Sequence, residues 1–372
     1  MSKNKEFHNT PFDEGTKCKL ELYQNYLRGW LPVFINTTFI ERIQIFDFFA
    51  GPGTDVNGTY GSPLLAAKEI RDAIDTSKEK INRTILFDLF LNELEPKRFS
   101  LLQQTALNIR HMLPEVTVHE TNQAFATLFP QYLPKMKASK TANFIFMDQF
   151  GLKEITEDIF KELVALQKTD FMFFLAASTA NRFKDIEDVA KYLPPLTQEE
   201  RNQMNGDNAL QILSKAYRHS WVPEPIKSSY FLGDFSIKKG ANVYGLIFGS
   251  KHPYGIQKFL EAAWKLGGYA NFDAGNDGYS QIQPSLFEEY SLPLRITDFQ
   301  HKLEKYLRTK PQKNNHWLYR VGLINGVLPK YVKDVVKRLQ REGFIKNSLN
   351  ISYNALKNPA VKIEYADDEV EK

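Results

Sequence analysis

Five short apolar runs punctuate the first half of the chain, and most of them lead into a segment with helical spacing. The runs are Ile43–Ala50 (IQIFDFFA), Thr84–Asn92 (TILFDLFLN), Val116–His119 (VTVH), Asn143–Asp148 (NFIFMD) and Asp170–Ala177 (DFMFFLAA). Continuous apolar runs of this length suit strands buried on both faces, as in parallel sheets covered by helices. The helical segments are PKRFSLLQQTALNIR after the second run, Gln123–Leu133 after the third and EITEDIFKELVALQ after the fourth. Ahead of the first run, Lys17–Phe34 repeats Leu20, Tyr23, Leu27 and Trp30 at helical spacing. This alternation predicts an α/β fold with a doubly wound parallel sheet.

The pattern then changes. Tyr230–Ile237 and Val243–Gly249, joined by the turn KKGAN, predict an antiparallel hairpin. Five parallel strands closed by a hairpin are the Rossmann-like layout of class I methyltransferases, which use S-adenosylmethionine (SAM). Rossmann dehydrogenases close with a parallel sixth strand instead. Asp185–Ser220 reads as a polar, helical insertion, and Tyr279–Leu294 as a linker. With 372 residues, the chain exceeds one ordinary core. We expect a large domain over 1–290 and a small one over 291–372.

Composition excludes several classes. No apolar run approaches the roughly 20 residues of a membrane span, and MSKNKEFHNTPFDEG has no apolar core of a secretory signal. Cys18 is the one cysteine, which excludes an internal disulfide and any multi-cysteine metal site. Seven scattered histidines without H-E-x-x-H spacing give no metal site. A reducing cytoplasm fits these features. The net charge is +4, yet residues 295–346 hold 13 Lys/Arg against 4 Asp/Glu, so the rest of the chain is net acidic.

The first strand ends in Asp47-Phe48-Phe49-Ala50-Gly51-Pro52-Gly53-Thr54. Ligands of open α/β sheets bind at that edge. Gly51 and Gly53 allow a sharp bend and close approach to a ligand, and Asp47 can accept from the ammonium of a methionine moiety. The turn is neither G-x-G-x-x-G nor a P-loop, and Pro52 removes an amide that a pyrophosphate would need. We therefore assign Asp47, Phe49, Ala50, Gly51 and Gly53 to SAM, against the alternative of a ligand-free glycine turn. Glu93 or Glu95, about 40 residues after Gly53, can accept ribose hydroxyls; a solvated surface glutamate is the alternative. Glu120 and Asn122, ending the third strand, can reach the adenine amine.

Asp148-Gln149-Phe150-Gly151 ends the fourth strand. Amino-group methyltransferases carry D/N-P-P-Y/F there: the side-chain oxygen and a backbone carbonyl aim the acceptor amine, and the aromatic ring stacks on a flipped base. Asp148 and Phe150 are the right types for catalysis, but Gln149 replaces the first proline and Gly151 stands at the aromatic position, so the match is partial; a carboxylate that faces the pocket without catalysing is the alternative. Cytosine C5 methylation needs a thiolate in the pocket, and Cys18 lies in the first helix.

Near the C-terminus, Thr297–Arg308 capped by Thr297, Trp317–Gly326 and Lys330–Glu342 read as three helices, with Phe344–Tyr353 and Val361–Tyr365 as a wing hairpin. A winged helix-turn-helix would set Lys330, Lys333, Lys337, Arg338 and Arg341 against phosphates. A small packing or dimerisation domain is the alternative.

Taken together, several segments resemble the three-Cys-motif partner (TcmP) family of bacterial and phage-associated methyltransferase-like proteins. They are Lys19 to Trp30, IFDFFAGPGT, Gly61-Ser62-Pro63-Leu64, NELEPKRFSLL, VHETN, FMDQFG, Asn181-Arg182-Phe183 and VYGLIFGSKHPYGIQKFLEAAWKL. The resemblance implies a SAM-binding fold, in which Glu93 matches the acidic residue after the second strand and Asp148 the aspartate of D-P-F-G. Glu120 stands where the family has aspartate, and Gln149 where it has proline. A cysteine-motif protein partner is implied by the resemblance alone. Ser62 and Pro63 join the expected substrate-binding residues. The expected function is methyl transfer from SAM to an amino group of nucleic acid. The alternatives are a non-catalytic SAM- or nucleoside-binding subunit, as in a phage-defence complex, and methylation of a protein or small molecule.

Overall fold

The computed structural model describes residues 10–78, 83–149, 151–206, 208–239, 242–266 and 294–366. Seven strands form one sheet: β1 (Arg42–Asp47), β2 (Leu86–Asn92), β3 (Val116–Thr121), β4 (Thr141–Met147), β5 (Thr169–Leu175), β6 (Phe231–Lys239) and β7 (Asn242–Ser250). Their order is β3-β2-β1-β4-β5-β7-β6. β1 to β5 pair in parallel, and the β6–β7 hairpin joins β5 in antiparallel pairing. This is the sheet the sequence predicts, with longer hairpin strands; 240 and 241 in the expected KKGAN turn lie outside the described residues.

Helices α1 (Glu14–Ile35), α2 (Ser62–Ser77), α3 (Pro96–Met112), α4 (Phe125–Met136) and α5 (Glu157–Ala165) follow the crossovers. Local chemistry sets their starts. Asp13 caps α1 by accepting from the Thr16 amide at 2.8 Å, Gly61 and Pro63 open α2, and Thr156 caps α5. The apolar residues of α1, α2 and α3 pack on one face of the sheet and those of α4 and α5 on the other. Every residue of β4 is buried between them.

The segment read as a polar insertion is only partly so. It contains α7 (Glu187–Ala190), α8 (Gln198–Gln203) and α9 (Ala209–Ala216), which runs into a π-helical turn at Tyr217–Trp221, and it is flanked by α6 (Ala177–Phe183) and α10 (Glu224–Lys227). In α9, Leu210 and Leu213 are fully buried in the second core. Leu210 packs so closely on β7 that a Cβ at Gly245 would stand 2.2 Å from it.

Helix α11 (Pro253–Lys265) follows β7, and α12 (Leu294–Leu307), α13 (Asn315–Ile324) and α14 (Pro329–Arg341) come later in the chain. Thr297 does not cap α12, which begins three residues earlier. The expected wing hairpin is replaced by single bridges, Ile345 to Tyr365 and Asn314 to Lys362, around a 3-10 turn at Tyr353–Lys357. The C-terminal unit also shares the core of the α/β unit. The Trp264 indole donates to the Gly326 carbonyl at 3.0 Å, the Tyr319 hydroxyl donates to Gln257 at 2.7 Å, and Tyr254 stacks on Tyr353 with centroids 4.5 Å apart. The linker expected at Tyr279–Leu294 falls, up to residue 293, outside the described residues. No helix among the described residues is long and apolar enough to cross a membrane.

Candidate functional site

The tips of β1, β2 and β4 bring three acidic residues to one edge of the sheet. Asp47 ends β1 and is 1% exposed. One carboxylate oxygen accepts from the Phe49 amide at 3.3 Å, while Oδ2 is buried without a hydrogen-bond partner. Burial pushes the carboxyl up to about 7; the Ser62 hydroxyl opposes this, and the charges of Asp148 and Glu93 add to it. The open oxygen can accept a hydrogen bond, or pair with a cation when the carboxyl is ionised.

The turn after Asp47 is shaped by its glycines. Gly51 and Gly53 have φ of 62° and 96°, in the left-handed region. A Cβ at Gly53 would stand 2.5 Å from Thr105, whose hydroxyl donates to the Pro52 carbonyl at 2.8 Å. The Ala50 amide donates to the Asn92 carbonyl at 2.8 Å, and the Gly61 amide to the Gly53 carbonyl at 2.7 Å. The loop is thus pinned to β2, α3 and the start of α2. That start supplies the buried Ser62 and Pro63. Phe49 turns its ring toward Phe125 at 5.4 Å.

The two glutamates after β2 differ in use. Glu95 caps α3, its carboxylate accepting from the Lys97 and Arg98 amides at 3.1 and 2.9 Å. Glu93 is buried and accepts from the Glu95 amide at 2.8 Å, with its charge felt at Asp47. Glu93 is therefore the glutamate that belongs to this edge. Asn122 and Glu120 are engaged within the fold. Asn122 donates to the Glu93 and Leu94 carbonyls at 2.7 and 2.8 Å, which latches the β2–α3 loop, and Glu120 is ion-paired with Arg110.

Asp148 follows β4 beside the Asp47 tip, where Asp47 is in register with Phe146. It forms an ion pair with Lys19 of α1, whose ammonium also lies 5.0 Å from the Phe174 ring centroid. Phe150 lies outside the described residues. Gln149 is 1% exposed; its amide nitrogen donates to the Phe174 carbonyl at 3.1 Å and its oxygen accepts from the Glu154 amide at 3.1 Å. A proline side chain offers neither bond, so this glutamine clamps the β4 tip to β5 by its own means.

Sequence reasoning missed Lys19, Gln149 as a clamp, and Asn92. Buried Asn92 donates to the Phe48 and Gln123 carbonyls at 3.1 and 3.0 Å and accepts from Thr121 at 2.9 Å and the Gln123 amide at 3.1 Å. It ties three strand tips together. A polar residue ending an otherwise apolar run was the available signal.

The basic residues of α14 divide. Lys330, Lys337 and Arg341 are exposed and Lys333 and Arg338 half-buried, and Arg338 is paired with Glu304. A cavity of about 690 Å³ opens away from the β1 tip, between α9, β6, α12 and α13, with Lys215, Arg218, Tyr306 and Trp317 in its wall; none of the residues around Asp47 lines it.

No family model and no curated protein matches the chain. Among solved structures, spermidine synthase from Thermotoga maritima is 13% identical with a TM-score of 0.27, over 62% of both chains. A loganic acid methyltransferase with SAH is 8% identical with a TM-score of 0.26, over 69% of this chain and 85% of that one. MtNAS in complex with MTA and tNA is 11% identical with a TM-score of 0.21, over 63% and 71%. The chain thus spans less than two thirds of the synthase.

Proposed function

We propose that this chain binds SAM at the β1 tip and transfers its methyl group to an amino group carried on nucleic acid. The observation that carries the reading is the buried Asp47 oxygen without a partner, held between the Ser62 end of α2 and a turn made by two left-handed glycines. Bound SAM supplies an electrophilic methyl on a sulfonium. Asp47 accepts from the amino-acid ammonium, and Gly51 and Gly53 let the backbone lie against the ligand. Glu93 accepts from the ribose hydroxyls, its carboxylate held by the Glu95 amide at 2.8 Å. Asp148 accepts from the acceptor amine once Lys19 yields. The exposed α14 cations Lys330, Lys337 and Arg341 meet phosphates.

A second reading is favoured by two observations. Lys19 already occupies Asp148, and both ends of the Gln149 amide are used within the fold. On that reading the chain binds SAM as a non-catalytic subunit of a complex, with the cysteine-motif partner that the family resemblance implies.

Calorimetric titration of SAM and S-adenosylhomocysteine (SAH), with Asp47→Ala as control, comes first. Binding that the substitution abolishes supports the pocket; absence of binding by the intact chain refutes it. Labelled SAM then tests transfer to DNA and RNA. Transfer lost in Asp148→Ala supports the catalytic reading. Binding without transfer, alone or with the partner, favours the second.

A further inference from the structure

We propose that Lys19 is the charge-setting residue of this edge: by neutralising Asp148, it fixes how strongly the pocket prefers the cationic SAM over the neutral sulfide of SAH. The inference rests on the SAM reading above. Lys19 belongs to α1, which packs across the sheet, and its residue is 8% exposed. The ammonium is held on two sides, by the Asp148 carboxylate and by the Phe174 ring at 5.0 Å. Phe174 stacks in turn on Tyr244, with centroids 5.6 Å apart. Among the described residues of this edge, the charges of Asp148 and Glu93 act on Asp47, and Lys19 is ion-paired with Asp148.

SAM and SAH differ by one methyl group and one positive charge. A charge beside the pocket therefore acts on the ratio of their affinities, whereas packing, which both share, largely cancels. With Lys19 present, Asp148 contributes a neutral pair. Without it, an uncompensated anion stands beside Asp47 and draws the sulfonium. Without Asp148, an uncompensated cation stands there and repels it. Lys19 acts through Asp148 and is a positioning residue.

The test is the SAH-to-SAM ratio of dissociation constants, measured by calorimetry on the full chain and needing no turnover. Relative to wild type, Lys19→Met raises the ratio about tenfold and Asp148→Asn lowers it by a similar factor, the size of one unit charge acting across a partly solvated site. Lys19→Arg keeps the charge and the wild-type ratio. The double variant Lys19→Met/Asp148→Asn, neutral again, returns toward wild type. A purely structural pair would weaken both ligands alike in both single variants, and an unchanged ratio, or shifts of the same sign, overturns the proposal. If wild type binds neither ligand, the SAM reading itself falls; binding with an unchanged ratio removes only the role of Lys19.

Discussion

Asp47→Asn should make the ligand-free protein more stable while abolishing SAM binding. The carboxyl is held at about 7 against an ordinary 3.8, which amounts to an ionisation cost of about 4 kcal/mol at a pH above both values. Asparagine keeps the shape without the charge. An amide nitrogen left unpaired at the Oδ2 position returns about 1 kcal/mol, leaving a net gain of about 3 kcal/mol near pH 8. The sign follows from linkage. A carboxyl raised on folding holds its proton in the folded state, so its contribution is intact below about pH 4, the unfolded value, and is lost as pH climbs through about 7. The gain of the variant over wild type should therefore be slightly negative at and below about pH 4, grow with pH, and level off above about 7. Urea unfolding of both proteins at several pH values measures it, and Asp170, which titrates in the same range, is common to both. A variant no more stable than wild type near pH 8, or a gain independent of pH, would refute the claim that a buried charge is kept here for a ligand at a cost in stability.

Gly53→Ala should lower stability by roughly 2–4 kcal/mol, because it combines a φ of 96° with a Cβ 2.5 Å from Thr105; Gly53→Ala with Thr105→Ala should recover only part in thermal unfolding, since the backbone strain remains. Asp170→Ala should cost about 3 kcal/mol or more, since it orphans the buried Tyr26 hydroxyl and Trp30 indole that donate to it at 2.7 and 3.0 Å. Burial holds the Asp170 carboxyl up at about 6, so wild-type stability falls as pH rises from about 4 through 6, and this slope should lessen in the variant.

The sheet was legible because strands buried on both faces leave continuous apolar runs, and β4, buried throughout, is the plainest of them. The Asp47 turn was legible because left-handed backbone demands glycine. Other features depend on partners far along the chain. Nothing near Lys19 points to Asp148, 129 residues away. Gln149 breaks a motif locally and repairs the geometry through β5. Glu93 and Glu95 were separable only once α3 claimed Glu95 as its cap. The sequence sets five C-terminal cations against phosphates, but Arg338 pairs with Glu304 of α12. The continuity of the C-terminal unit with the α/β core rests on Trp264 and Tyr319, whose apolar bodies gave no sign of which surface they would meet.

Helix α1 is anchored at both edges of the sheet, by Lys19 to Asp148 at one and by Tyr26 and Trp30 to Asp170 at the other, across sequence separations of 129, 144 and 140 residues. It lies ahead of the strands that carry its anchors, which are made much later. At roughly 5–20 residues per second, the nascent helix waits about 6–30 s with Tyr23, Leu27 and Trp30 uncovered. During that interval its apolar face is a surface for chaperones, or for the wrong neighbour, and the ribosome's pace through β4 and β5 decides which arrives first.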